Sequence, residues 1–113
     1  MKKKPIFTVL YKYCDEDVYH KSMEHDTLQD AFNEVLQELY PECLCETHRS
    51  GRTIYVSYQN RYDEDDCGEY GLPYTLKAIQ EYITDFVESN AEHEDNNAFD
   101  YSEIVIKKSF AFA

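Results

Sequence analysis

Two apolar stripes at helical spacing, set among short alternating runs, constrain this chain most. Leu28, Phe32, Val35, Leu36 and Leu39 recur at three- and four-residue steps, and so do Leu76, Ile79, Ile83, Phe86 and Val87. Each set falls on one face of a helix. Thr27 with Asp30 three residues on reads as a capped helix start, and Pro41 closes that helix. Pro73 stands where a first helical residue is tolerated. The spacing predicts helices over 27–40 and 73–89.

The runs between them alternate with period two. Residues 5–13 (PIFTVLYKY) put Phe7, Val9, Tyr11 and Tyr13 on one face. CLCETH and RTIYVSYQ flank Ser50 and Gly51, a hairpin signal, and SEIVIKKSF alternates Ile104, Ile106 and Phe110. Segments 14–26 and 61–71 read as acidic loops, and 89–101 as a polar linker. The order β-α-β-β-α-β predicts a ferredoxin-like α+β sandwich: one four-stranded antiparallel sheet, order 4-1-3-2, with two helices on one face. No repeat or interdomain linker stands out. Residues 1–113 are expected to form one domain, long enough to bury a core without metal or disulfide staples.

Charge narrows function more than fold does. The chain has 23 acidic and 11 basic residues, a formal net charge of −12. Such a field repels phosphate backbones and anionic membranes, so direct nucleic-acid or membrane binding is disfavoured. It draws basic protein surfaces instead. No apolar run reaches membrane-spanning length, and MKKKPIFTVLYKY is followed by no small-residue cleavage site, so a cytoplasmic location is expected. The predicted topology puts Asp15, Glu16, Asp17 and Glu24 at one end of the sheet with Glu92, Glu94, Asp95 and Asp100. It puts residues 63–69 at the other.

The segment RYDEDDCGEYG poses the chemical question, since its carboxylates either hold a cation or face a partner. Asp63, Asp65 and Gly68 match positions one, three and six of an EF-hand calcium loop. Position five is the soft Cys67, position twelve is Tyr74, and a strand precedes the loop where a helix is required. Calcium binding is therefore not expected. Cys43, Cys45 and Cys67 form one loose candidate set for a metal, and Cys14 with His20, His25 and His93 another. Neither has the tight spacing of zinc sites. No cofactor is expected.

Catalysis finds little support. No serine sits in a nucleophile elbow, the carboxylates crowd into loops without apolar neighbours, and Gly51, Gly68 and Gly71 make no phosphate-cradling loop. SGRTIYVSYQ, with Tyr55 and the nearby Arg49, Arg52 and Arg61, looks like the aromatic third strand of an RNA-recognition module. The defining Gly-Phe-Gly/Ala-Phe run is missing, and the net charge opposes RNA.

The sequence thus predicts a non-enzymatic acidic binding protein that occupies a basic, nucleic-acid-binding surface of a partner protein. Small phage inhibitors of host defence, anti-CRISPR proteins among them, act in this nucleic-acid-mimic manner, and the analogy is one of size and charge. An immunity protein neutralising a nuclease toxin is an alternative, as is a Cys/His metal- or ligand-binding regulator. The expected contact residues are Asp63, Glu64, Asp65, Asp66 and Glu69, flanked by Tyr62 and Tyr70, with Asp15, Glu16 and Asp17 either extending that footprint or serving a second contact.

Overall fold

The computed structural model describes residues 3–91 and 101–112. They contain β1 (Lys3–Tyr13), β2 (His20–His25), α1 (Leu28–Leu39), β3 (Cys43–Ser50), β4 (Thr53–Asn60), β5 (Cys67–Pro73), α2 (Leu76–Ala91) and β6 (Tyr101–Phe112). The strands form two antiparallel sheets of three, ordered β2-β1-β6 and β3-β4-β5. This corrects the expected ferredoxin-like sandwich, which has a single four-stranded sheet. Both extra strands, β2 and β5, fall mainly in segments whose sequence reads as acidic loop.

Their concealment has a physical cause. β2 is HKSMEH, an edge strand with every residue but His25 exposed, so no apolar face marks it. Its register with β1 also shifts between Thr8 and Leu10. β5 contains Gly68 and Gly71, which lower strand propensity. Both glycines make room for rings on β4. A Cβ on Gly68 would lie 2.9 Å from the Tyr58 hydroxyl, and one on Gly71 would lie 3.1 Å from the Tyr55 ring.

The helices start and stop for local reasons. Thr27 caps α1 by accepting a hydrogen bond from the Asp30 amide at 3.1 Å, as its sequence implies. For α2 the hydroxyl of Thr75, not Pro73, does this work, accepting from the Ala78 amide at 3.1 Å; Pro73 ends β5.

α1 stands between the sheets. Glu34 and Glu38 on one flank reach Tyr11 of β1 and Tyr101 of β6. Gln29 and Asn33, on the opposite flank by helical rotation, meet Thr47 of β3. Phe7, Val9, Phe32, Leu36, Ile54, Val56, Ile79, Ile83, Ile104 and Ile106 join one core drawn from both sheets and both helices. Connectivity is repetitive although the sequence is not. β3-β4-β5-α2 is a three-stranded meander followed by a helix, and β6-β1-β2-α1 repeats it across the chain termini.

Side-chain contacts show that each element reverses the direction of the one before. Tyr11 meets Glu34 while Tyr101, at the start of β6 and opposite Tyr13 of β1, meets Glu38 one helical turn further on. Gln29 bonds the hydroxyl of Tyr74 through its amide, and Tyr40 packs on Phe86, so α1 and α2 run the same way. The β1–β2, α1–β3 and β4–β5 connections therefore gather at the C-terminal end of both helices. The β2–α1, β3–β4 and β5–α2 connections gather at the other.

One edge is closed by a side chain. Gln80 of α2 donates to the Ile104 carbonyl and accepts from the Ile106 amide, both at 2.8 Å, and so bonds β6 as a neighbouring strand residue would.

Two substitutions test this packing. Phe32→Ala, at a fully buried ring, should cost about 3–5 kcal/mol in urea unfolding; a loss under about 1 kcal/mol would contradict its central place. Gln80→Leu should cost about 1–3 kcal/mol, because it strands two backbone groups of β6. Unfolding indistinguishable from the native chain would remove Gln80 from the account of that edge.

Candidate interaction surface

The β4–β5 loop, residues 61–66, is ordered by its own polar groups. The Asp63 carboxylate accepts from the Asp65 amide at 3.0 Å, and the Asp66 carboxylate accepts from Asn60 Nδ2 at 3.1 Å. The Asn60 amide bonds the Asp66 carbonyl, and the Arg61 amide bonds the Glu42 carbonyl, which ties the loop to the α1–β3 connection. Gln59 reaches the carbonyls of Asp63 and Glu64. This leaves the carboxylates of Glu64 and Asp65 directed to solvent. Tyr62 is 84% exposed beside them.

The expected contact residues are only partly brought together. Tyr62, Asp63, Glu64, Asp65 and Asp66 share the loop. Glu69 lies on β5 opposite Ser57, on the outer face of the sheet. Tyr70 points the other way, packs against the core and bonds the Tyr82 hydroxyl at 2.5 Å. Asp15, Glu16 and Asp17 occupy the exposed β1–β2 turn. The topology expected from sequence sets the two acidic turns at opposite ends, but the alternating chain path puts both at the end where α1 and α2 finish. Glu92, Glu94, Asp95, Asp100 and His93 lie outside the described residues.

Two aligned helix ends deepen the field there. Each helix C-terminus carries about half a negative charge, and neither last turn holds a basic residue to offset it. Lys12 and Arg61 are the cations nearest in the chain. Among the described residues, the ion pairs join Lys4 to Asp26, His20 to Glu16, Lys21 to Glu24 and His25 to Glu34. None involves Asp15, Asp17 or residues 63–66.

Two polar clusters escape a reading of sequence alone. In the first, both oxygens of Glu34 are used, one by the Tyr11 hydroxyl at 2.6 Å and one by His25 Nε2 at 2.8 Å. Tyr101 packs at a tilt against the rings of Tyr11 and Tyr13 and donates to Glu38 at 3.0 Å. In the second, the hydroxyls of Tyr40, Tyr82 and Tyr70 form a chain under the second sheet. Burial, reinforced by these carboxylate or phenol neighbours, raises the phenols of Tyr11, Tyr70, Tyr82 and Tyr101 above their usual range. With its acceptors filled, Glu34 clamps β1 and β2 to α1. The available signal was Glu34 and Glu38 at i,i+4 beside the apolar stripe.

The cysteines do not converge. Cys43 and Cys45 face inward, opposite Asn60 and Tyr58, whereas Cys67 is exposed on the outer face with Gln59. Burial raises the thiols of Cys43 and Cys45. Among the described residues no group of three or more His, Cys, Asp or Glu side chains is arranged to hold a metal ion, and no helix is long and apolar enough to cross a membrane. No family model, curated protein or solved structure matches this chain.

The raised phenols set a pH dependence. An unfolded tyrosine ionises near pH 10, while these four stay neutral in the fold, so the unfolded state loses protons first and stability falls above about pH 10. Tyrosinate absorbance followed with circular dichroism should show a late fraction that ionises only as structure is lost. A single reversible titration near pH 10 with structure intact would contradict the buried clusters.

Proposed function

We propose that this chain is a non-enzymatic, cytoplasmic inhibitor that covers a basic, nucleic-acid-binding surface on another protein. One observation carries the reading. The chain path gathers the β1–β2 turn, Glu42 and the β4–β5 loop at one end, where both helix dipoles also finish. A surface of this kind offers carboxylates in place of phosphates to a partner's Arg and Lys residues.

The loop suits that role because its backbone is already fixed. Hydrogen bonds from Gln59, Asn60 and Asp65 hold its shape without a partner, so little conformational entropy remains to be lost on docking. Tyr62 adds a ring that packs on the stems of Arg and Lys. A nuclease toxin and a nucleic-acid-guided defence protein both present such a basic groove, and the same chemistry serves either.

The triple variant Asp63→Asn, Asp65→Asn and Asp66→Asn tests the reading. Asparagine keeps the side-chain oxygens that accept from Asp65 and Asn60, so the turn persists while three charges go. Against a partner captured from source cells by pull-down, affinity should fall at least tenfold and its salt dependence should flatten; a carboxylate desolvated against Arg would contribute about 2–5 kcal/mol of that loss. Unchanged affinity with an unchanged salt slope would overturn the proposal.

A further inference from the structure

The end opposite the acidic turns has the inverse character. β1 and β6 continue past β2 as a two-stranded ribbon, pairing Lys3 with Phe112, Lys4 with Ala111, Pro5 with Phe110 and Ile6 with Ser109, whereas β2 pairing begins at Phe7. Residues directly opposite share a face, so Pro5, Phe7, Lys108 and Phe110 lie together. The ammonium of Lys108 sits 5.8 Å from the Phe7 ring and 5.3 Å from the Phe110 ring. Phe7 is buried but Phe110 is 58% exposed. The core face of the sheet thus runs on beyond its helical cover, and it does so among lysines.

Tyr62 and Phe110 are the most exposed aromatic rings among the described residues. They stand at opposite ends of the strand direction, Tyr62 beside carboxylates and Phe110 beside ammonium groups. An eleven-residue strand separates its ends by about 35 Å, several times the Debye length of about 8 Å at physiological salt. Each end therefore acts by its local charge, and the net charge of −12 does not silence the basic ribbon at that salt.

We infer that the ribbon face of Pro5, Lys108 and Phe110 docks the β4–β5 turn of a second copy, Tyr62 against Phe110 and the turn's carboxylates against the lysines. The contact is head to tail, joining two different surfaces, so it propagates into short chains of copies instead of stopping at a two-fold dimer. It uses the same turn as the proposed partner contact, and so a docked copy shields that turn from a basic partner. The inference stands independently of that reading, since its readout is self-association.

Sedimentation velocity over a concentration series at physiological salt tests it. The native chain should show a sedimentation coefficient that rises with concentration. Lys3→Glu with Lys108→Glu, both on the face of Pro5 and Phe110, should abolish the rise, and so should Glu64→Lys with Asp65→Lys, whose side chains lie outside the hydrogen bonds that hold the turn. The chain carrying all four reversals has the native net charge and should regain the rise. Phe110→Ser, which leaves every charge in place, should weaken association and provides a second test if a reversal impairs folding. A native chain that stays monomeric throughout the series, or a chain with only one of the two charge reversals that associates as the native one does, would overturn the inference. Binding of the ribbon to anionic vesicles or to single-stranded DNA in place of a second copy would overturn it equally.

Discussion

Neither three-stranded sheet can close a core by itself, and α1 is the element that lets the two share one. Small sheets of this kind need a packed layer to be stable, and here the layer is used on both flanks. Leu28, Phe32, Val35 and Leu39 point toward the shared core, while Glu34 and Asn33 hold opposite sheets by hydrogen bonds. The polar flanks are therefore as structural as the apolar stripe. A helix apolar on both flanks would bury more surface, but it would not fix which strand lies where. The bonds from Tyr11, His25 and Thr47 do fix it, and they explain why polar residues recur along a helix set between two sheets.

The polarity of the molecule follows from the same arrangement. Short connections force each element to reverse the last, and three strands separate the helices, so the helices must run parallel. Their dipoles add where an antiparallel pair would cancel. Acidic residues placed in alternate connections then converge, while Lys3, Lys4, Lys107, Lys108 and Arg52 fall toward the other end. No long-range interaction is needed to assemble the acidic end. It is a consequence of chain path and of which turns carry the charge.

The sequence showed the helices, four strands and nearly all of the core, because each has an apolar face with a definite period. Phe7, Val9, Phe32, Ile83 and Ile106 all sit inside as their spacing implies. It did not show β2 or β5, whose residues face water or make room for a neighbour's ring. Ser22 and Met23 pack against nothing that a pattern could register, and Gly68 is there for Tyr58. Those two strands turn one sheet into two. The acidic loop was legible as a cluster of charge, but its position was not: one omitted strand in each half changes which connections share an end. Tyr70 shows the remaining limit. It stands next to Glu69 in sequence, yet strand alternation sends it to the core and its neighbour to the surface.

Gathering unpaired carboxylates at one end has an energetic consequence. Like charges near two helix C-termini repel one another in the folded state more than in the extended chain, so the acidic end opposes folding at low salt. The core, which lies away from these turns, carries that burden, and the hydrogen bonds of Asp63 and Asp66 keep the loop from relaxing outward. Any cationic surface that docks there removes repulsion as well as adding attraction. Its binding free energy then includes the electrostatic stress held by the free protein. Ligands that bind only the folded state stabilise it by mass action, and here the stabilisation would act at the end least favourable to the fold. A surface built this way favours binding by charge over binding by apolar area, consistent with the small exposed apolar share of the turn: Tyr62 alone among five consecutive residues from 62 to 66.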